Sequence, residues 1–155
     1  MRRLLVRKIT LDDLHGVGVI AQALHPKWFT ESALKEIANA VRNESGYVAV
    51  LDGRHVGFAT YRIIDHSETA ELTWIGVHPD FHRRGVGRAL VVAMERGLRS
   101  GGVKKLEVYT VAATVHYEPY ALTRHFYHAI GFVDISIEPK GFPSGDDKLL
   151  LRKEL

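Results

Sequence analysis

The chain has 155 residues, 46% hydrophobic and 25% charged, which suits one soluble globular domain over residues 1–155 with a core of its own. It has no cysteine, which excludes a disulfide framework, a thiolate zinc site and a catalytic cysteine and fits a cytoplasmic setting. The net charge is only +3, without a basic stripe interleaved with aromatics or an apolar run of about 18 residues, so neither a nucleic-acid partner nor a membrane span is expected.

In chain order, Leu4 to Ile9 reads as a strand, cut off from any signal-peptide pattern by Arg7-Lys8. Thr10 and Asp13 have capping-box spacing, and Leu14, Val17, Ile20, Ala21 and Leu24 then recur on one helical face. His25-Pro26-Lys27-Trp28-Phe29 breaks that helix, and Thr30 caps a second one with Leu34, Ile37, Ala38 and Val41 inward. Tyr47 to Leu51 and Val56 to Ile64 are strands joined by the hairpin signal Asp52-Gly53, and a loop over Asp65 to Thr69 leads into a central strand, Glu71 to Val77. Next comes a helix with Val86, Ala89, Leu90, Ala93, Met94 and Gly97 on its apolar face and Arg88, Glu95 and Arg99 facing away. Gly101-Gly102 ends it, and Leu106 to Val111 is a strand expected to lie parallel to the central one. Pro119 opens another helix, with Leu122, Phe126 and Ala129 inward and Gly131 as its cap. Phe132 to Ile137 and Lys148 to Leu155 close the chain as strands, separated by a turn-rich loop, Pro139 to Asp147.

The chemistry concentrates where the central strand runs out. After Pro79, the segment His82-Arg83-Arg84-Gly85-Val86-Gly87-Arg88 combines basic donors, glycines that let backbone approach a ligand, and a helix start with unpaired N–H groups. This is a site for a phosphate-rich anion. It is neither a P-loop, which needs GK[ST], nor a dinucleotide fingerprint, which needs a glycine where Leu90 stands. It resembles the acetyl-CoA loop of the GNAT superfamily of N-acetyltransferases, [Q/R]-x-x-G-x-[G/A] after a strand ending x-x-V-x-P, here Val77-His78-Pro79. His82 replaces the usual Gln or Arg. A second resemblance is Phe126-Tyr127-His128-Ala129-Ile130-Gly131-Phe132, similar to the family's F-Y-x-x-x-G-F segment, with Tyr120 where many members carry an asparagine. The element order, β-α-α-β-β-β-α-β-α-β-β, also resembles that family over the whole chain. The expectation is an α/β (α+β) domain with a mixed, mostly antiparallel sheet flanked by helices.

The resemblance implies transfer of an acetyl group from acetyl-CoA to a primary amine by direct attack on the thioester. Acetyl-CoA would be held by Ile75, Val77, His82, Arg83, Arg84, Gly85, Val86, Gly87, Arg88, Ala89 and Tyr127. An alkylammonium of pKa about 10.4 must lose a proton before it attacks, and Glu71 is the first candidate base, with Glu118 or water as rivals. Backbone N–H groups around Ile75 to Val77 would face the oxyanion if the strand splays from its neighbour. Tyr127 would protonate the departing thiolate, or else serve only as a core aromatic.

Nine histidines raise the question of a metal, but His78 and His82 flank a turn and His125 and His128 lack the H-E-x-x-H arrangement, so no metal is expected. His116 and Tyr117 line an acceptor pocket or decorate a loop. Trp28 and Phe29 either shape that pocket or staple two helices. The acceptor is a small molecule or a protein amine, and a homodimer is one assembly the chain allows. The reading from another class is a non-catalytic acetyl-CoA or CoA sensor on the same fold.

Overall fold

The computed structural model describes residues 3–64 and 68–155. Strand β1 (Leu4–Lys8) leads through a 3-10 turn (Leu11–Asp13) into helices α1 (Leu14–Leu24) and α2 (Glu31–Asn43). Strands β2 (Ser45–Leu51), β3 (Arg54–Ile64) and β4 (Thr69–Val77) follow, then a second 3-10 turn (Pro79–Phe81) and helix α3 (Val86–Ser100). Strand β5 (Lys105–Val111), helix α4 (Glu118–Ala129) and strands β6 (Val133–Glu138) and β7 (Lys148–Glu154) complete the chain. Of the loop expected over 65–69, residues 65–67 lie outside the described residues, and Thr69 already belongs to β4. The strands form one open sheet in the order β1-β2-β3-β4-β5-β7-β6, antiparallel except where β5 lies parallel to β4 after the α3 crossover.

The two faces of the sheet are covered by different helices. Val17, Ile20, Ala21 and Leu24 of α1 and Ile37 and Val41 of α2 pack on Val48 of β2 and Phe58 of β3, with Trp74 at the edge of that cluster. On the other face Val86, Leu90, Val91, Met94 and Leu98 of α3 pack on Ala59, Ala70, Leu72 and Leu106, and this cluster continues to Tyr127 of α4. Fully burying side chains of this size stabilises the fold by about 1.5–3 kcal/mol each. Gly76 belongs to this packing, since a Cβ there would lie 2.6 Å from the Phe58 ring.

Three expectations need correction. Glu95 does not face away: it is 4% exposed, and Lys153 of β7 donates to both of its oxygens at 2.7 and 3.0 Å. Leu122 and Ala129 do not point into the core. Both are exposed, and the buried residues of α4 are Pro119 and Tyr127, because this helix flanks an opening in the sheet rather than a closed sheet surface. The first turn after Thr10 is 3-10 rather than α-helical. There the Asp13 carboxylate accepts from the Thr10 backbone N–H at 2.8 Å and is also bound by Arg7 and His55.

Two irregularities of β4 make that opening. Thr60 of β3 faces Trp74 and Tyr61 faces Leu72, so Thr73 is the extra residue of a β-bulge. On the other edge, the pairing of β4 with β5 runs only from Thr69 against Lys105 to Leu72 against Val108. Beyond it the two strands part, and Tyr109 to Val111 pair only with β7.

Candidate active site

The parting of β4 and β5 opens a cavity of about 1290 Å³, walled by both strands, α4, α2, the α1–α2 loop, the turn after β4 and the β6–β7 loop. The His78 N–H donates to the Val56 carbonyl of β3 at 2.9 Å. By strand alternation Gly76 turns its N–H the same way, whereas Ile75 and Val77 turn theirs to the side that β5 has left. Two backbone donors therefore face the cleft unpaired by a strand.

At the end of β4 the chain makes a turn suited to anions. Arg83 has φ +63° and Gly85 φ +78°, two left-handed residues that curl the backbone ahead of α3, and no heavy atom lies within 4 Å of where a Gly85 Cβ would sit. The first helical bond, Ala89 N–H to Gly85 carbonyl at 3.0 Å, leaves the N–H groups of Val86, Gly87 and Arg88 without intrahelical acceptors. Gly85 through Arg88 line the cavity together with His82 and Arg83. Gly87 is needed for another reason as well: a Cβ there would lie 3.0 Å from the Phe126 ring, so glycine lets α4 close against the first turn of α3.

Most of the residues singled out in the sequence converge here. Glu71, Ile75, Val77, His82, Arg83, Gly85, Val86, Gly87, Arg88 and Tyr127 line one cavity. Arg84 and Ala89 do not: Arg84 is exposed with its guanidinium over the Phe81 ring at 5.3 Å, and Ala89 lies behind the turn on α3. His82 uses its ring differently from a free donor. Its Nε2 lies 2.7 Å from the Val77 carbonyl, which can only accept, so this nitrogen carries the proton and ties the turn to the end of β4. Trp28 meets the same ring edge-on at 5.2 Å.

Glu71 is half-buried, and Arg62 donates to its Oε1 through Nη2 at 2.9 Å and Nε at 3.2 Å. Tyr127 is 4% exposed and makes no hydrogen bond among the described residues, although every buried polar side-chain atom described has a partner; its hydroxyl thus reaches the cavity surface. Burial pushes its phenol well above the usual value. Glu118 is exposed and outside the cavity. Tyr120, in place of asparagine, lines the wall beside Tyr117 at a ring distance of 4.8 Å. The Tyr117 hydroxyl donates to the Lys27 carbonyl at 2.7 Å and so joins the α1–α2 loop to the start of α4. His128 pairs with Asp134 at 2.7 Å, and among the described residues no group of three or more His, Asp or Glu side chains is arranged to hold a metal ion.

Sequence reasoning missed the residues that distant segments bring in. Glu44 at the end of α2 accepts from the Thr73 hydroxyl, and Lys148 of β7 holds its Nζ over the rings of Tyr109 at 4.3 Å and Phe142 at 5.4 Å. Neither carries a local motif, and only the bulge and the β5–β7 pairing bring them to the cleft.

The segment that carries the parted sheet and the glycine turn falls within residues 15–132, which match the acetyltransferase (GNAT) family. The chain belongs to that family. Among curated proteins it is 30% identical over 135 residues to the mycothiol acetyltransferase of Propionibacterium freudenreichii subsp. shermanii, covering 83% of this chain. The chain spans 41% of that relative's length. A GNAT-family protein from Desulfovibrio desulfuricans superposes with a TM-score of 0.87 at 25% identity, covering 98% of this chain and 99% of that one. The PaiA N-acetyltransferase of Thermoplasma acidophilum, solved with coenzyme A, superposes with a TM-score of 0.74 at 18% identity, covering 99% of both chains. Among the described residues no helix is long and apolar enough to cross a membrane.

Proposed function

We propose that this chain, acting as one domain, transfers the acetyl group of acetyl-CoA to the nitrogen of a primary amine by direct attack on the thioester. The observation that carries this reading is the parting of β4 and β5, which turns the Ile75 and Val77 N–H groups into the cleft beside the Arg83–Arg88 turn. The turn would take the pyrophosphate on its first-turn N–H groups and the Arg83 and Arg88 guanidinium groups. The thioester oxygen would then sit against the β4 N–H groups, which bind it more strongly as it gains charge.

Glu71 helps to remove the ammonium proton, with Arg62 fixing the position of its carboxylate. The nitrogen lone pair then forms the C–N bond, the C–S bond breaks as Tyr127 donates its phenolic proton to the thiolate, and the nitrogen sheds its second proton to solvent, which returns one to the Tyr127 phenolate. Burial weakens Tyr127 as an acid, but the same surroundings raise the proton affinity of a departing thiolate, so the gap between ordinary values of about 8.5 and 10 need not widen.

Thiol release from acetyl-CoA in the presence of a panel of primary amines tests the reading. Release that depends on both substrates, with N-acetylated product detected by mass spectrometry, is the expected result. Tight binding of CoA with no amine-dependent thiol release across the panel favours a sensor role instead.

A further inference from the structure

We infer that Glu44 and Thr73 form a proton-accepting arm of the active site, in which the Thr73 hydroxyl takes a proton from the attacking amine while passing its own to Glu44. This rests on the proposed amine acetylation and deepens it. Thr73 is the bulged residue of β4 and the first one past the last pair with β5, so its side chain stands at the point where the sheet parts. Its hydroxyl donates to the Glu44 carboxylate and also lies 2.8 Å from the hydroxyl of Thr60, which is fully buried. A hydroxyl has one proton. Because the Thr73 proton goes to Glu44, the contact with Thr60 requires Thr60 to donate, and the chain runs in one direction from Thr60 through Thr73 to Glu44. The Thr73 oxygen then keeps a second lone pair, and both Thr73 and Glu44 line the cavity.

The fold supplies reasons for this arrangement. Glu44 is the residue that ends α2, where its backbone N–H closes the last turn on the Ala40 carbonyl at 2.8 Å, so the carboxylate sits on a fixed main chain. Glu71 lies two residues before Thr73 and is held by Arg62 through two hydrogen bonds, whereas Glu44 feels the Arg62 charge only through space and forms no ion pair among the described residues. Of the carboxylates that line the cleft, Asp146 also accepts from a hydroxyl, that of Ser144 in its own loop, and Glu44 is the one that accepts from a hydroxyl of β4 at the point where the sheet parts. The step balances: the ammonium N–H bond breaks, that proton joins the Thr73 oxygen, the original Thr73 proton joins Glu44, and the freed lone pair attacks the thioester carbon. Glu44 returns the proton to solvent.

The test compares two amines that differ in whether they need a base. n-Butylamine is almost wholly an ammonium at pH 7, whereas O-methylhydroxylamine is mostly neutral. Each is supplied at high concentration with acetyl-CoA to the wild type and to Thr73→Val, Thr73→Ser, Glu44→Gln and Glu44→Asp, with thermal melting to check the fold. The ratio of kcat/KM for n-butylamine to that for O-methylhydroxylamine is expected to fall at least about tenfold in Thr73→Val and Glu44→Gln, a floor set below the roughly 10² to 10⁴ of a sole general base because Glu71 shares the task. The ratio should recover in Thr73→Ser, which restores the hydroxyl. The n-butylamine deficit should also shrink as pH rises and free amine accumulates. An equal loss with both amines would reduce Thr73 and Glu44 to structural supports and overturn the inference. So would an unchanged ratio, or a ratio that falls only in Glu71→Gln. A folded, CoA-binding wild type that acetylates neither amine nor any in the wider panel would remove the acetylation reading and this inference with it.

Discussion

Gly85→Glu separates a cofactor turn from an ordinary charged surface. Gly85 has φ +78° and open space around the position of a Cβ, so a Cβ there meets no atom and its cost is that of the backbone, about 1–2 kcal/mol for a left-handed L-residue. Gly85→Ala carries the same backbone cost without a charge and is the control. The carboxylate of the Glu variant would stand about 5 Å from a phosphate held by the first-turn N–H groups, and at an effective dielectric near 20 that repulsion is about 3 kcal/mol per unit charge. Acetyl-CoA affinity should therefore fall by roughly 10²-fold or more relative to Gly85→Ala. Calorimetry on both variants reads the affinities, and thermal melts show whether the two share a stability. Wild-type affinity should also weaken as salt rises, because the contacts are largely ionic. If the Glu and Ala variants melt together and bind acetyl-CoA equally well, the pyrophosphate does not sit on this turn, and the reasoning from its left-handed residues and unpaired N–H groups fails.

Tyr127→Phe removes an oxygen that has no hydrogen bond among the described residues, so stability should change by less than about 1 kcal/mol while single-turnover transfer slows by about 10² to 10⁴. A slowing of less than tenfold would return Tyr127 to a packing role. Glu71→Gln should lower transfer at neutral pH by about tenfold or more if its carboxylate shares in proton removal, and rates matching wild type across pH would exclude it. Asp13 sets the acid stability. Burial alone would raise its carboxyl, but hydrogen bonds from Arg7, His55 and the Thr10 N–H outweigh that and hold it well below the ordinary range. A depressed folded-state value means that its contribution is complete above the unfolded value of about 3.9 and is lost as pH falls below it. Asp13→Asn should thus cost about 2 kcal/mol at pH 7 and show a shallower loss of stability between about pH 4 and pH 2, read by urea unfolding.

The fold was legible because its signals are local and redundant. Asp52-Gly53 sets the β2–β3 hairpin, Thr30 caps α2 by accepting from the Ala33 N–H at 3.2 Å, and the glycine turn fixes where α3 begins. The parallel pairing of β4 with β5 follows from the α3 crossover between them. Periodicity misled where a helix does not face a closed layer. The apolar positions Leu122 and Ala129 sit at helical spacing, yet α4 borders the cleft and they line it instead. Glu95 was misplaced because a carboxylate at that spacing normally faces water, and its partner Lys153 lies 58 residues away.

The glycine-turn half of the candidate site was legible as a turn because its parts are contiguous: turn, glycines and helix start fall within seven residues, 82–88. The side of the cleft around Thr73 was not, because it depends on one extra residue in β4. The segment Thr69 to Val77 alternates apolar and polar well enough to pass for a regular strand, and nothing in that pattern marks Thr73 as bulged. Yet the bulge brings Thr73 against Thr60 and Glu44, and β5 leaves β4 one residue earlier. A regular strand continuing its ladder with β5 would occupy the Ile75 and Val77 N–H groups with β5 carbonyls and leave no donor for a developing oxyanion. Parting the sheet frees those donors, and the bulge beside the parting brings a hydroxyl and a carboxylate next to them. On the proposed reading, donors for the oxyanion and acceptors for the amine proton arise from neighbouring defects in one strand.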